Sequence, residues 1–78
     1  MRQKEEKGIV TFPTTTAALA MEKAAKELNL PGRLIPVPVS ITASCGLAWM
    51  VEVSELEQVQ ATLTGHELQF SAVQVALI

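Results

Sequence analysis

Two amphipathic helical segments set among four short strand-like segments, in the order strand, helix, strand, strand, helix, strand, predict an α+β domain built on one four-stranded antiparallel sheet. This βαββαβ order is the ferredoxin-like, split-βαβ arrangement, with both helices on one face of the sheet. Size and composition agree with it. The 78 residues leave no room for a second core. An apolar content of 49% with 18% charged residues is that of a globule, not of a disordered chain. Residues 1–7 read as a flexible, solvated lead-in, and residues 8–78 as the single domain.

Gly8-Ile9-Val10-Thr11-Phe12 is the first strand: short, β-branched and aromatic, and closed by Pro13. Thr14, Thr15 and Thr16 offer hydroxyl N-caps for a helix. In that helix Ala17, Met21, Ala24, Ala25 and Leu28 recur at helical spacing, opposite Glu22, Lys23, Lys26 and Glu27. The Pro31-Gly32 pair ends it. Arg33–Val37 is the second strand, and Pro36 and Pro38 push it to a sheet edge because proline donates no ladder hydrogen bond. A Ser- and Thr-rich loop over Pro38–Cys45 leads to Gly46–Val53, the strongest strand pattern in the chain. Ser54 and Glu57 match the S-x-x-E capping box, Leu56, Val59 and Leu63 form an apolar stripe, and Gly65 sits where a C′ glycine belongs. Leu68–Leu77 is the last strand. Its alternation is imperfect, with Phe70 and Ala72 out of phase with Val73, Val75 and Leu77, which predicts a bulge or bend.

Strand three is apolar on both faces: Leu47, Trp49, Val51 and Val53 on one, Ala48 and Met50 on the other. One face packs on the helices. The other, expected to be the Ala48/Met50 face, has no helix to cover it, and it predicts a homodimer through the open sheet face. A domain this small buries only about 60% of its unfolded surface, which also favours self-association.

Several classes are disfavoured. Six Lys/Arg against eight Glu and no Asp give a net charge of −2, without the basic excess of a nucleic-acid binder. No stretch of about 18 apolar residues is present to span a membrane, and the charged N-terminus leads into no signal-peptide apolar region. A cytoplasmic protein is expected. A single cysteine, Cys45, excludes an internal disulfide. With one His, no Asp and no Tyr, a Ser-His-Asp triad cannot be built, and no phosphate-loop or dinucleotide pattern occurs. A zinc site would need Cys45, His66 and a Glu to converge without any characteristic spacing. No cofactor or metal is therefore expected, and His66 reads as an exposed turn residue.

The segment Ser40–Gly46 is the suggestive one. Cys45 stands between Ser44, a hydroxyl donor, and Gly46, whose bare backbone permits a tight turn and close approach by another molecule. Neighbouring hydroxyl and N–H groups there can hydrogen-bond a thiolate. Equally, Cys45 reads as a small buried apolar residue at a strand start. Thr14 and Thr15 at a helix N-terminus favour an anion, although capping alone explains them. Arg33 is a candidate anion partner or a solvated side chain. Trp49 and Met50 read as sheet packing.

Thr11-Phe12-Pro13-Thr14, the helix carrying Met21-Glu22-Lys23, Pro31-Gly32-Arg33-Leu34-Ile35-Pro36-Val37-Pro38 and, above all, Ser44-Cys45-Gly46-Leu47-Ala48 resemble the selenium/sulfur carrier-like family, over roughly residues 8–78. The resemblance implies a cytoplasmic carrier rather than an enzyme turning over alone, with Cys45 holding a persulfide or selenenyl sulfide. It implies a cysteine desulfurase or sulfur-relay protein as partner. Val39 and the apolar strand around Trp49 and Met50 depart from the family pattern, which often has basic residues there. The alternative is a non-enzymatic dimerisation or small-ligand-binding module of the same fold. An exposed Cys45 beside N–H donors favours the carrier, and a thiol buried under Leu or Val favours the module.

Overall fold

The computed structural model describes residues 5–38, 41 and 46–77. Its elements are β1 (Glu6–Thr11), α1 (Thr15–Leu28), β2 (Arg33–Pro36), β3 (Leu47–Glu52), α2 (Val53–Gly65) and β4 (Ala72–Leu77). The four strands form one sheet in the order β2-β3-β1-β4, with every neighbouring pair antiparallel. This is the ferredoxin-like arrangement: each helix links two strands that flank a third. The expected elements are all present, and β2 lies at an edge as its prolines require.

The pleat sorts the side chains. Val10, Phe12, Trp49 and Val51 point to the helix side, where they form the main core with Ala17, Ala18, Met21, Ala25, Val59 and Leu63. Trp49 is sheet packing, as its sequence context indicates, and its Nε1 donates to the Pro31 carbonyl at 3.0 Å. Leu56 lies directly over Gly8: a Cβ at Gly8 would come within 2.8 Å of Leu56 Cδ1. In α1 the buried stripe is Ala17, Ala18, Met21 and Ala25, whereas Leu28, expected on it, is exposed. Leu28 is the last helical residue, and Leu30, just past the Asn29 cap, packs against the core instead.

The four helix termini show what starts and stops each helix. Thr14 caps α1, its hydroxyl accepting the Ala17 N–H at 3.1 Å. Asn29 closes α1 in the left-handed region (φ 54°), and the Leu30 N–H returns to the Ala25 carbonyl at 2.9 Å. At α2 two expectations need correction. Ser54 is not the N-cap: Glu52 holds that position with no side-chain cap bond, and Ser54 is the second helical residue. The reason is the ladder. Glu52 is still paired with Lys7 of β1, so the chain passes from strand to helix without a linker and the start is set by β3. Nor is Gly65 the C′ residue: it is the last residue of α2, and Glu67 takes the left-handed conformation (φ 56°). The Leu68 N–H then reaches the Leu63 carbonyl at 2.9 Å, and both leucines pack in the core. The apolar Leu63–Leu68 contact, rather than glycine's freedom, fixes where this Schellman closure falls.

The predicted irregularity before β4 is present. Phe70 and Val73, three residues apart, both pack on the helix side, so the alternation slips by one between them. There the Ser71 N–H donates to the Thr11 carbonyl at 2.7 Å, one residue off the Thr11–Ala72 pairing.

Candidate functional site

The helix-free face is the Ala48/Met50 face. It carries a second apolar cluster of Ile9, Ile41 and Ala48, flanked by Ile35, Val37, Met50 and Ala76. Ile41 comes from the β2–β3 connection and packs on the centre of the face, where Ile9 and Ala48 are 0% exposed. The face is therefore partly roofed by the chain's own connection. The sequence signal was an isolated isoleucine in an otherwise polar run.

That connection is pinched at its base. The Val37 N–H donates to the Gly46 carbonyl at 3.0 Å, and the Ile41 N–H to the Pro38 carbonyl at 3.0 Å. Pro36 pairs with Leu47, so Val37 and Gly46 extend the β2–β3 ladder by one step. Gly46 is exposed and a Cβ built on it meets nothing within 4 Å. Cys45 and Ser44 fall outside the described residues.

The antiparallel register shows what shares this end of the sheet. β1 ends at Thr11, opposite Ala48, so Pro13 and the Thr14 cap lie at the same end as Gly46. Thr15 is the first residue of α1, and no acidic residue occupies the helix's first turn. The N-terminal pole of α1, with its partial positive charge, thus lies at the end of the sheet where the β2–β3 connection leaves it. The C-terminus of α2, capped by exposed His66, returns to this end as well.

Arg33 is placed elsewhere. It pairs with Met50, three positions along β2 from the Pro36–Leu47 pair. At about 3.3 Å per residue that is roughly 10 Å from the Pro36 end of the strand. Arg33 lines, with Glu22, Lys26, Asn29 and Trp49, an open cleft of about 410 Å³ near the end of α1. Near that far end of the sheet is an ion cluster whose main pair, Lys7 and Glu52, is 45 residues apart and so invisible in the sequence: Lys7 Nζ meets Glu52 at 2.5 Å and Glu5 at 3.3 Å. Hydrogen bonds to Glu52 and then Glu5 hold the Lys7 ammonium above its ordinary pKa. Among the described residues, no three His, Cys, Asp or Glu side chains are grouped to hold a metal ion. No helix among the described residues is long and apolar enough to cross a membrane.

Residues 7–74 match a family model described as "Putative Se/S carrier protein-like". No curated protein and no solved structure matches the chain.

Proposed function

The chain belongs to the Se/S carrier protein-like family, and on that premise we propose that it carries zero-valent sulfur or selenium on Cys45. The observation that carries the reading is the family match itself, which spans the chain's one cysteine. The Cys45 thiolate attacks the outer sulfur of a donor persulfide, R–S–SH. The new S–S bond forms as the donor's breaks, the donor departs as R–S⁻, and Cys45 is left as Cys–S–SH. A selenium atom transfers in the same way to give a selenenyl sulfide. Neither exchange needs an external oxidant or reductant, because the chalcogen keeps its oxidation state. Release is the reverse attack by an acceptor thiol. With no second cysteine in the chain, that thiol comes from a partner protein, so the protein is a carrier and not an enzyme turning over alone.

Two features support this reading. Gly46, the residue after Cys45, is exposed and unobstructed, which suits approach by a donor protein. The N-terminal pole of α1 shares that end of the sheet and has no first-turn carboxylate to oppose its field, which favours a thiolate there. The donor is a cysteine desulfurase or a sulfur-relay protein, and a reducing cytoplasm keeps a lone thiol available.

The test is intact mass spectrometry after incubation with a cysteine desulfurase and cysteine or selenocysteine. The expected result is a gain of one sulfur or selenium atom, reversed by dithiothreitol and absent in Cys45→Ser. No mass gain, together with alkylation of Cys45 only in denaturant, overturns the proposal and leaves the binding-module reading.

A further inference from the structure

The two edges of the sheet are not equivalent. β2 has four residues, one of them Pro36, and Pro38 follows two residues later. Proline offers no N–H to a partner strand, so this edge is guarded against addition. β4 is six residues long, Ala72-Val73-Gln74-Val75-Ala76-Leu77, with no charge and no proline. It pairs with β1 on one side only, so its other row of backbone N–H and C=O groups is without a strand partner. It also carries two large apolar side chains in the open: Val75 is 46% exposed and Leu77 59%. Charge and proline, two of the usual devices that discourage strand addition, are both missing from β4.

We propose that β4 pairs with β4 of a second copy, joining two sheets into one continuous eight-stranded sheet. The guarded β2 edge excludes head-to-tail β2–β4 addition, which would propagate without limit, and leaves the closed two-fold contact. Residues that face each other across an antiparallel pair point to the same side of the sheet. With the helices of both copies on one side, the two-fold axis must therefore pass through a residue, not between two. An axis at Val75 sets Val75 against its own copy and each Val73 against Leu77 of the other. Gln74 and Ala76 pair on the opposite side. An axis at Gln74 would set Leu77 against Ser71, outside the strand, and an axis at Ala76 would pair Val75 with Leu77 but leave Val73 and Gln74 facing positions beyond the strand, so the Val75 register covers both exposed side chains with the longest overlap. No ionisable residue lies between Leu68 and Leu77, so no like charges meet. A single strand edge buries less than the about 1,200 Å² of a stable interface, so the dimer forms at high micromolar concentration. The axis is perpendicular to the sheet. The two Gly46 ends therefore lie at opposite ends of the assembly, and each stays accessible.

The experiment is sedimentation equilibrium on the reduced protein from about 10 μM to 1 mM, a span chosen for a contact of this size. Wild type is expected to shift from monomer to dimer. Val75→Lys, which brings two ammonium groups together at the axis, is expected to weaken dimerisation by about tenfold or more. Mixing Val75→Lys with Val75→Glu is expected to restore it as a heterodimer. Met50→Lys, on the helix-free face, is expected to leave it unchanged. A wild type monomeric at the highest concentration overturns the proposal, as does a dimer broken by Met50→Lys but not by Val75→Lys. Hydrogen exchange on wild type needs no variant to fold. Amide protection in β4, and not in β2, must rise with concentration, and unchanged β4 protection in a dimer overturns the pairing.

Discussion

Gly32→Ala tests how the turn between α1 and β2 is locked to the sheet. Gly32 has φ +103°, and a Cβ there would overlap Trp49 Nε1, Val51 Cγ1 and the Met50 carbonyl oxygen. Three costs arise together. The backbone conformation is one that L side chains rarely adopt, at about 1–3 kcal/mol. Relieving the overlap with β3, whose backbone is held in the middle of the ladder, costs about 1–3 kcal/mol. Moving the Trp49 ring strains its hydrogen bond to the Pro31 carbonyl, worth about 1 kcal/mol. The terms share one displacement and do not add fully, so the expected loss is about 3–5 kcal/mol. A domain of this size has about 4–12 kcal/mol in total. Urea unfolding followed by the emission of Trp49, the chain's one tryptophan, reads both stability and the ring's surroundings. With a urea slope near 1 kcal/mol per molar, the midpoint should fall by about 3–5 M or the variant should be unfolded without denaturant. A loss below about 1 kcal/mol with unchanged Trp49 emission would show that the turn is not held against Trp49 and Val51.

The opposite sign is expected one helix later: Gly65→Ala should stabilise by about 0.5–1 kcal/mol in the same titration, because Gly65 is helical and its Cβ meets nothing. Thr14→Ala should cost about 1 kcal/mol through the lost cap bond to Ala17. Ser54→Ala should stay within about 0.5 kcal/mol, since Ser54 makes no cap. The Lys7 ammonium, raised in the folded state by Glu52 and Glu5, contributes stability that is fully present below its unfolded value near 10.4 and is lost as pH climbs through the higher folded value. Thermal melts of wild type and Lys7→Met should therefore differ by a constant amount up to about pH 10 and converge above it.

The fold was legible because each element carries its own local signature. β-branched and aromatic residues marked β1, a continuous apolar run marked β3, helical spacing marked α1 and α2, and Pro36 placed β2 at an edge before any pairing was known. The misplaced details are all tertiary. Ser54 and Glu57 satisfy the capping-box pattern, yet the strand pairing of Glu52 with Lys7 starts α2 earlier. Gly65 is the residue propensity would choose to end α2, yet the pull of Leu68 onto Leu63 moves the left-handed position to Glu67. Likewise, helical spacing includes Leu28 in the stripe of α1, but Leu28 is exposed and Leu30, beyond the helix, packs on the core. In each case the sequence names a competent residue and the packing of its neighbours selects another.

The candidate site divides along the same line. Cys45 and Gly46 are visible in the sequence because a lone cysteine beside glycine is chemically conspicuous. Which other groups share their end of the sheet depends on register, which no local pattern encodes. Arg33 is a few residues before the connection and suggests itself as a cation for the thiolate, but β2 carries it toward the opposite end, opposite Met50. The N-terminus of α1 is distant in sequence from Gly46, yet the β1–β3 pairing of Thr11 with Ala48 brings both to one end of the sheet. If positive potential favours a thiolate at Cys45, the candidate source is therefore the backbone dipoles of α1 and not the arginine. The two sources separate experimentally. Arg33→Gln should leave the midpoint of Cys45 alkylation with pH unchanged. Thr15→Glu adds a carboxylate at the first helical position, opposes the field at that end, and should raise the midpoint. A midpoint that moves with Arg33→Gln and not with Thr15→Glu would refute this assignment.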